Sequence, residues 1–183
     1  ENGQMQWHAY AGYALLVLVL WRIVWGFVGS DHAKFKQFVV GVPSILSYLK
    51  DARTERPGHN PLGGWSVVTM LGLLLVQTVS GLFNTDELLL QGPLTVLASD
   101  GLIEIASEVH ETSWLGIQAL VLLHIVVVCY HQWVKKDGLI TQMGFGSRLT
   151  RVSSRRPRLW LGMLVLALVA ATVVAIGLVL PEP

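Results

Sequence analysis

Four stretches of the chain stay apolar for long enough to cross a lipid bilayer. They cover residues 8–28, 64–83, 113–134 and 159–180, with polar sequence between them. A hydrocarbon core about 30 Å thick needs roughly 20 apolar residues in a helix. Lipid offers no partners to open backbone groups, so runs of this length are expected to be helical. The connections differ in character. Val42–Lys50 reads as a short amphipathic helix along the inner membrane surface, ahead of a Pro57-Gly58 break. Residues 101–110 read as a helical lead into the third apolar stretch. The expected architecture is all-α, an integral membrane bundle with four transmembrane helices.

Basic residues give that bundle an orientation. Lys34, Lys36, Lys50, Arg53 and Arg56 fall in the first connection, with Arg22 just ahead of it. Lys135, Lys136, Arg148, Arg151, Arg155, Arg156 and Arg158 fall in the third. The second connection, residues 84–112, has no lysine or arginine and carries Asp86, Glu87, Asp100, Glu104, Glu108 and Glu111. The positive-inside rule places the first and third connections in the cytoplasm. Both termini and the second connection are then outside. The opening Glu1-Asn2-Gly3-Gln4 has no basic leader. Either this short lead crosses unaided or an upstream helix precedes it.

Composition supports the membrane reading. Of 183 residues, 52% are hydrophobic and 14% charged, against about 25% charged in an average soluble domain. A net charge of +1 gives no reason to expect a nucleic-acid partner.

Ionisable side chains are costly at membrane depth, so the six histidines carry the chemistry to be explained. His8 stands at the outer end of the first helix and His110 at the outer end of the third. Two neutral imidazoles on facing helices can clamp one haem iron between them. His124 follows His110 by fourteen residues, a rotation within about 40° of the same face and a rise of about 21 Å. It lies within the run Leu120 to Val126, otherwise wholly apolar. That spacing suits two stacked haems, one per leaflet. The competing reading makes His8 and His110 ordinary polar residues bonded to backbone or water. His131 reads as an interfacial residue, and His32, after Ser30-Asp31, as facing cytoplasmic water. Cys129 is the sole cysteine, and no Cys-x-x-Cys-His exists to attach a c-type haem. A bound haem would therefore be held by coordination and packing alone.

Other residues fit the same picture less specifically. Gly12, Gly72 and Gly116 would admit either a flat macrocycle or tight helix packing. Arg22, fourteen residues beyond His8, could pair with a haem propionate or snorkel to the interface. The seven tryptophans sit mostly at segment ends, where an aromatic belt accounts for them.

The residues around these histidines carry a resemblance. His8, Gly12 and Tyr13 followed by Leu20-Trp21-Arg22-Ile23-Val24-Trp25-Gly26-Phe27 resemble the second membrane helix of prokaryotic cytochrome b561 proteins. That family includes the b-type cytochrome subunits of nickel–iron hydrogenases. Gly58-His59-Asn60-Pro61-Leu62-Gly63-Gly64 resembles the lead into the family's third helix. His110-Glu111 with Leu123-His124 resembles its fourth. The resemblance covers about residues 5–145 and implies a four-helix bundle with two bis-histidine b haems. Carried over, His8 and His110 bind the outer haem and His124 the inner one. The family's inner partner is a histidine on its first helix, which has no counterpart before His8. That helix is expected to be missing from this sequence and to carry the partner of His124; if the protein truly lacks it, His59 or His131 would be the stand-in ligand, or the inner haem would be lost. Residues 1–145 would then form the di-haem domain, 146–158 a basic cytoplasmic linker, and 159–183 an added C-terminal helix and tail.

The function expected is electron transfer between the quinone pool and a redox partner at the outer face. A basic periplasmic c-type cytochrome suits the acidic second connection. The resemblance also admits an anchor subunit of a hydrogenase or dehydrogenase, and a quinone-linked superoxide oxidase. An acidic mouth would repel the superoxide anion. His59, Asn60 and Arg22 could line a quinone site, and a homodimer is open.

Overall fold

A computed structural model describes residues 2–30, 33–50, 61–85, 91–136 and 159–179. The described residues are helical apart from turns and one isolated antiparallel bridge, Thr85 with Gln91. Six α-helices follow in order: α1 (Asn2–Val28), α2 (Phe35–Phe38), α3 (Val42–Lys50), α4 (Pro61–Gly81), α5 (Asp100–Cys129) and α6 (Leu159–Val179). α1, α4 and α5 are long and apolar enough to cross a membrane, and α6 carries a shorter apolar span, Trp160–Ala175. The expected all-α membrane bundle is what the chain forms.

Each boundary has a local cause. α4 opens on Pro61, whose fixed φ and missing N–H suit a first turn. It closes at Gly81, after which Leu82 and Phe83 donate N–H bonds three residues back, tightening the final turn. The chain then folds under itself through Gly92 N–H to Asn84 O at 2.8 Å and Leu94 N–H to Leu82 O at 2.9 Å. A Cβ on Gly92 would run into the Leu82 carbonyl, so only glycine fits there. α5 runs on from Cys129 as a π-helical turn, Tyr130–Lys135, and stops at Lys136 in the left-handed region with φ 59°. The continuous span Asp100–Lys135 has 36 residues, about 54 Å of helix against a hydrocarbon core of about 30 Å. One end of α5 must therefore leave the lipid. Its first turns carry Asp100, Glu104, Glu108 and Glu111, all exposed.

α1 lies between α4 and α6, and α5 packs on α4. The residues between α1 and α4 fold back as a strap. Trp65 Nε1 donates to Val40 O at 2.9 Å. The Arg22 guanidinium lies 5.2 Å from the Phe35 ring centroid and donates to Ala33 O at 3.4 Å. Gly26 makes room for the Phe35 ring and Gly64 for the Phe38 backbone, where a Cβ would collide.

Trp21 and Trp25 differ from the expected aromatic belt. Their rings stack at 6.2 Å with a 12° interplanar angle. Trp21 Nε1 donates to Gly162 O at 3.0 Å, and the Trp25 ring lies against Gly162. They dock α6 on α1. Few described residues are buried: Leu16 and Val19 on α1, and Ala106 and Ile117 on α5, are the membrane-helix members of the apolar core. Large apolar side chains such as Leu18, Leu122, Val126 and Leu168 point outward, as expected where lipid is the solvent.

Candidate functional site

The buried polar side chains of the membrane helices, among the described residues, gather where α4 ends against α5. Thr78, Ser80 and Ser113 are buried there. Thr78 satisfies itself by bonding back to Leu74 O at 2.8 Å. The others surround His110. Nδ1 of His110 lies 2.9 Å from the main-chain oxygen of Gln77 and 3.2 Å from Ser80 Oγ. Nε2 lies 3.0 Å from Gln77 Nε2. Gln77 Oε1 accepts the Ser113 hydroxyl at 2.5 Å.

These partners assign the protons. A carbonyl oxygen can only accept, so Nδ1 carries the hydrogen and donates it to Gln77 O. Nε2 is then the lone-pair nitrogen and accepts from the Gln77 amide. Ser80 donates to Gln77 O at 3.1 Å, leaving its oxygen facing Nδ1–H. One consistent set of donor and acceptor roles thus satisfies the cluster, with the hydrogen on Nδ1. With Nδ1–H tied to a backbone carbonyl, Nε2 is the ring nitrogen whose lone pair a metal could take, and here that lone pair meets the Gln77 amide.

His8 reaches the same place from α1. Its ring centroid stands 6.2 Å from that of His110, with the planes at 84°. Two imidazoles sharing one metal at bond lengths of about 2 Å have centroids about 6 Å apart. Among the described residues no group of three or more His, Cys, Asp or Glu side chains could hold a metal ion. Two imidazoles alone make a poor metal site, whereas a porphyrin iron needs only two axial ligands. Gly12 lies one turn beyond His8 on the same helix face, and no atom comes within 4 Å of where its Cβ would stand. The same holds for Gly72. Half-buried Gly12 leaves open space of the kind a flat macrocycle requires, whereas Gly72 is exposed on the outside of α4. Gly116 instead meets Leu73 at ordinary van der Waals distance, which is helix packing.

The other sequence-identified residues are dispersed. His124 is exposed on α5 and has no hydrogen-bond or ring partner among the described residues. His131 lies in the π-helical turn with its ring 5.8 Å from that of Tyr130. Arg22 is committed to Ala33 and Phe35 in the strap. His32, His59 and Asn60 lie outside the described residues. Gln77, Ser80, Gly81 and Ser113 escaped the sequence reading. Their signal is a spacing: Gln77, Ser80 and Gly81 fall at i, i+3 and i+4 of an apolar helix, and Ser113 follows His110 by three.

A family model matches most of the chain. The model of the prokaryotic cytochrome b561 family matches residues 2–146, taking in α1 to α5 and ending before α6. No curated protein and no solved structure matches the chain. Matched over most of its length, this multi-pass membrane chain belongs to the prokaryotic cytochrome b561 family, whose members are b-type cytochromes that carry electrons in membranes.

Proposed function

We propose that His8 and His110 are the axial ligands of a haem b in the outer layer of the membrane. The chain would exchange electrons between the quinone pool and a redox partner at the outer face. The observation that carries this reading is the 6.2 Å approach of two imidazoles borne by separate membrane helices. A haem held by His8 and His110 would supply one-electron exchange.

The protein's own part is to hold the ligands. Gln77 O fixes the Nδ1–H tautomer of His110, and the bond raises the basicity of Nε2. Ser80 and Ser113 keep Gln77 in place from either side. His124, facing outward from α5, is the candidate ligand for a second, inner haem. Its partner would come from beyond the described residues, with His59 as the stand-in. The emergent end of α5 carries Asp100, Glu104, Glu108 and Glu111 on one side of the helix. A partner docking on this stripe would lie next to His110, and its charge would suit a basic periplasmic c-type cytochrome. The orientation follows from the basic first and third connections, and the membrane would be a bacterial inner membrane.

The test is the visible spectrum of the purified protein, with haem counted per chain. A reducible low-spin b-type Soret and alpha band is expected, and His8→Leu or His110→Leu should remove one haem equivalent. Full haem content with unaltered bands in both variants would refute the assignment.

A further inference from the structure

We propose that Gln77 is a positioning residue whose side-chain amide caps the ligating nitrogen of His110 and competes with iron for it. The inference rests on the reading of His110 as an axial ligand. Nε2 is the nitrogen that the tautomer leaves free for a metal, and it is the atom that Gln77 Nε2 meets at 3.0 Å. The amide is not loosely placed. Its oxygen accepts the hydroxyl of buried Ser113 at 2.5 Å, which turns its nitrogen toward the imidazole.

Gln77 therefore acts twice on one ring, through atoms that a substitution can separate. Its main-chain oxygen holds Nδ1–H at 2.9 Å, and any side chain leaves that contact in place. Its amide donates to the lone pair that iron would take. A nitrogen lone pair cannot accept a hydrogen and bind a metal at once. Haem binding must then displace the amide, and the amide can recapture Nε2 whenever the iron–imidazole bond opens. The ring is kept in its ligating pose in the meantime. The device sets a floor under the rate of haem exchange without loosening the bundle.

The experiment measures haem loss from the full-length ferric holoprotein in detergent to excess apomyoglobin. Gln77→Leu removes the donor at similar volume, and loss should slow roughly two- to tenfold, the worth of one net hydrogen bond. Gln77→Met, which keeps the side-chain length and has no hydrogen to donate, should also slow it. Ser113→Ala, which frees the amide oxygen, should do so to a smaller degree. A merely structural Gln77 predicts the opposite sign, because a loosened site sheds haem faster. Unchanged or faster loss from Gln77→Leu overturns the proposal, and should that variant not fold, the same outcome in Gln77→Met and Ser113→Ala does so. His110→Leu is the separate control for the ligand assignment: retention of its low-spin spectrum would overturn that reading, whatever the Gln77 variants show.

Discussion

Gly81 makes room for His110: a Cβ on Gly81 would stand 3.0 Å from Cε1 of the imidazole and 3.3 Å from Nδ1. The ring can lie against the end of α4, within reach of the Gln77 carbonyl, only because this position has no side chain. Alanine would push the ring off that carbonyl by a few tenths of an ångström. The loss is set at about 1 kcal/mol, one weakened hydrogen bond. Gly81→Ala is expected to keep the fold and hold haem roughly fivefold more weakly, and Gly81→Leu to lose it. Haem stoichiometry after detergent exchange checks both, and full retention in Gly81→Leu would show that His110 does not need this pose.

Much of the helical layout is legible in the chain because lipid imposes it. The apolar runs are long, and the stretch Val42–Lys50 shows its amphipathic face, so each appears as a helix where the pattern puts it. The helical lead before His110 is likewise visible, and α5 starts at Asp100. The π-helical turn after Cys129 is not, since shifting a bond from i+4 to i+5 needs no special residue type. The pairing of His8 with His110 follows from their shared layer. Their support does not, because which polar residue of α4 meets His110 depends on the axial register of two packed helices. Gln77 and Thr78 are equally polar neighbours in sequence, and only one of them faces the imidazole. The same register decides that Trp21 spends its indole N–H on Gly162 and not at a lipid headgroup.

α6 lies outside the family match and is joined to α1 through that indole. Trp21→Phe keeps the stack on Trp25 and removes the hydrogen bond to Gly162 O. Interhelical bonds in membranes average about 0.6 kcal/mol, so the variant should fold and lose a small part of its stability. Gly162→Leu acts more strongly, because even a Cβ there would stand 3.3 Å from the Trp25 ring. It should expose α6 to proteolysis in detergent while the haem spectrum stays unchanged. A changed spectrum would mean that α6 supports the His8–His110 site.

Arg22 is expected to matter for the strap between α1 and α4. Lysine preserves the charge but cannot lay a planar guanidinium over Phe35. Cation–π pairs contribute about 0.5–1 kcal/mol at exposed sites and more when desolvated. Arg22→Lys should accelerate hydrogen exchange at Gln37 and Val39, whose N–H groups bond within this strap, by several-fold. Unaltered exchange there, with altered haem bands, would indicate that the guanidinium serves the cofactor.

The acidic end of α5 yields the last prediction. Asp100, Glu104, Glu108 and Glu111 are spaced four, four and three apart, so they form one exposed stripe ending beside His110 in sequence. No lysine or arginine lies between residues 84 and 112 to offset them. Opposite charges speed encounter at low salt, and the effect fades as the screening length falls from about 30 Å at 0.01 M to about 8 Å at 0.15 M. Replacing the four carboxylates with their amides should slow reduction of a basic c-type cytochrome about tenfold or more at low salt. At physiological salt most of that difference should disappear, and the haem spectrum should not move at all. Stopped-flow rates across an ionic-strength series separate the possibilities. Equal rates for the two proteins at the lowest salt would place the partner surface elsewhere, because a docking face this charged cannot be neutral to a cationic partner where screening is weakest.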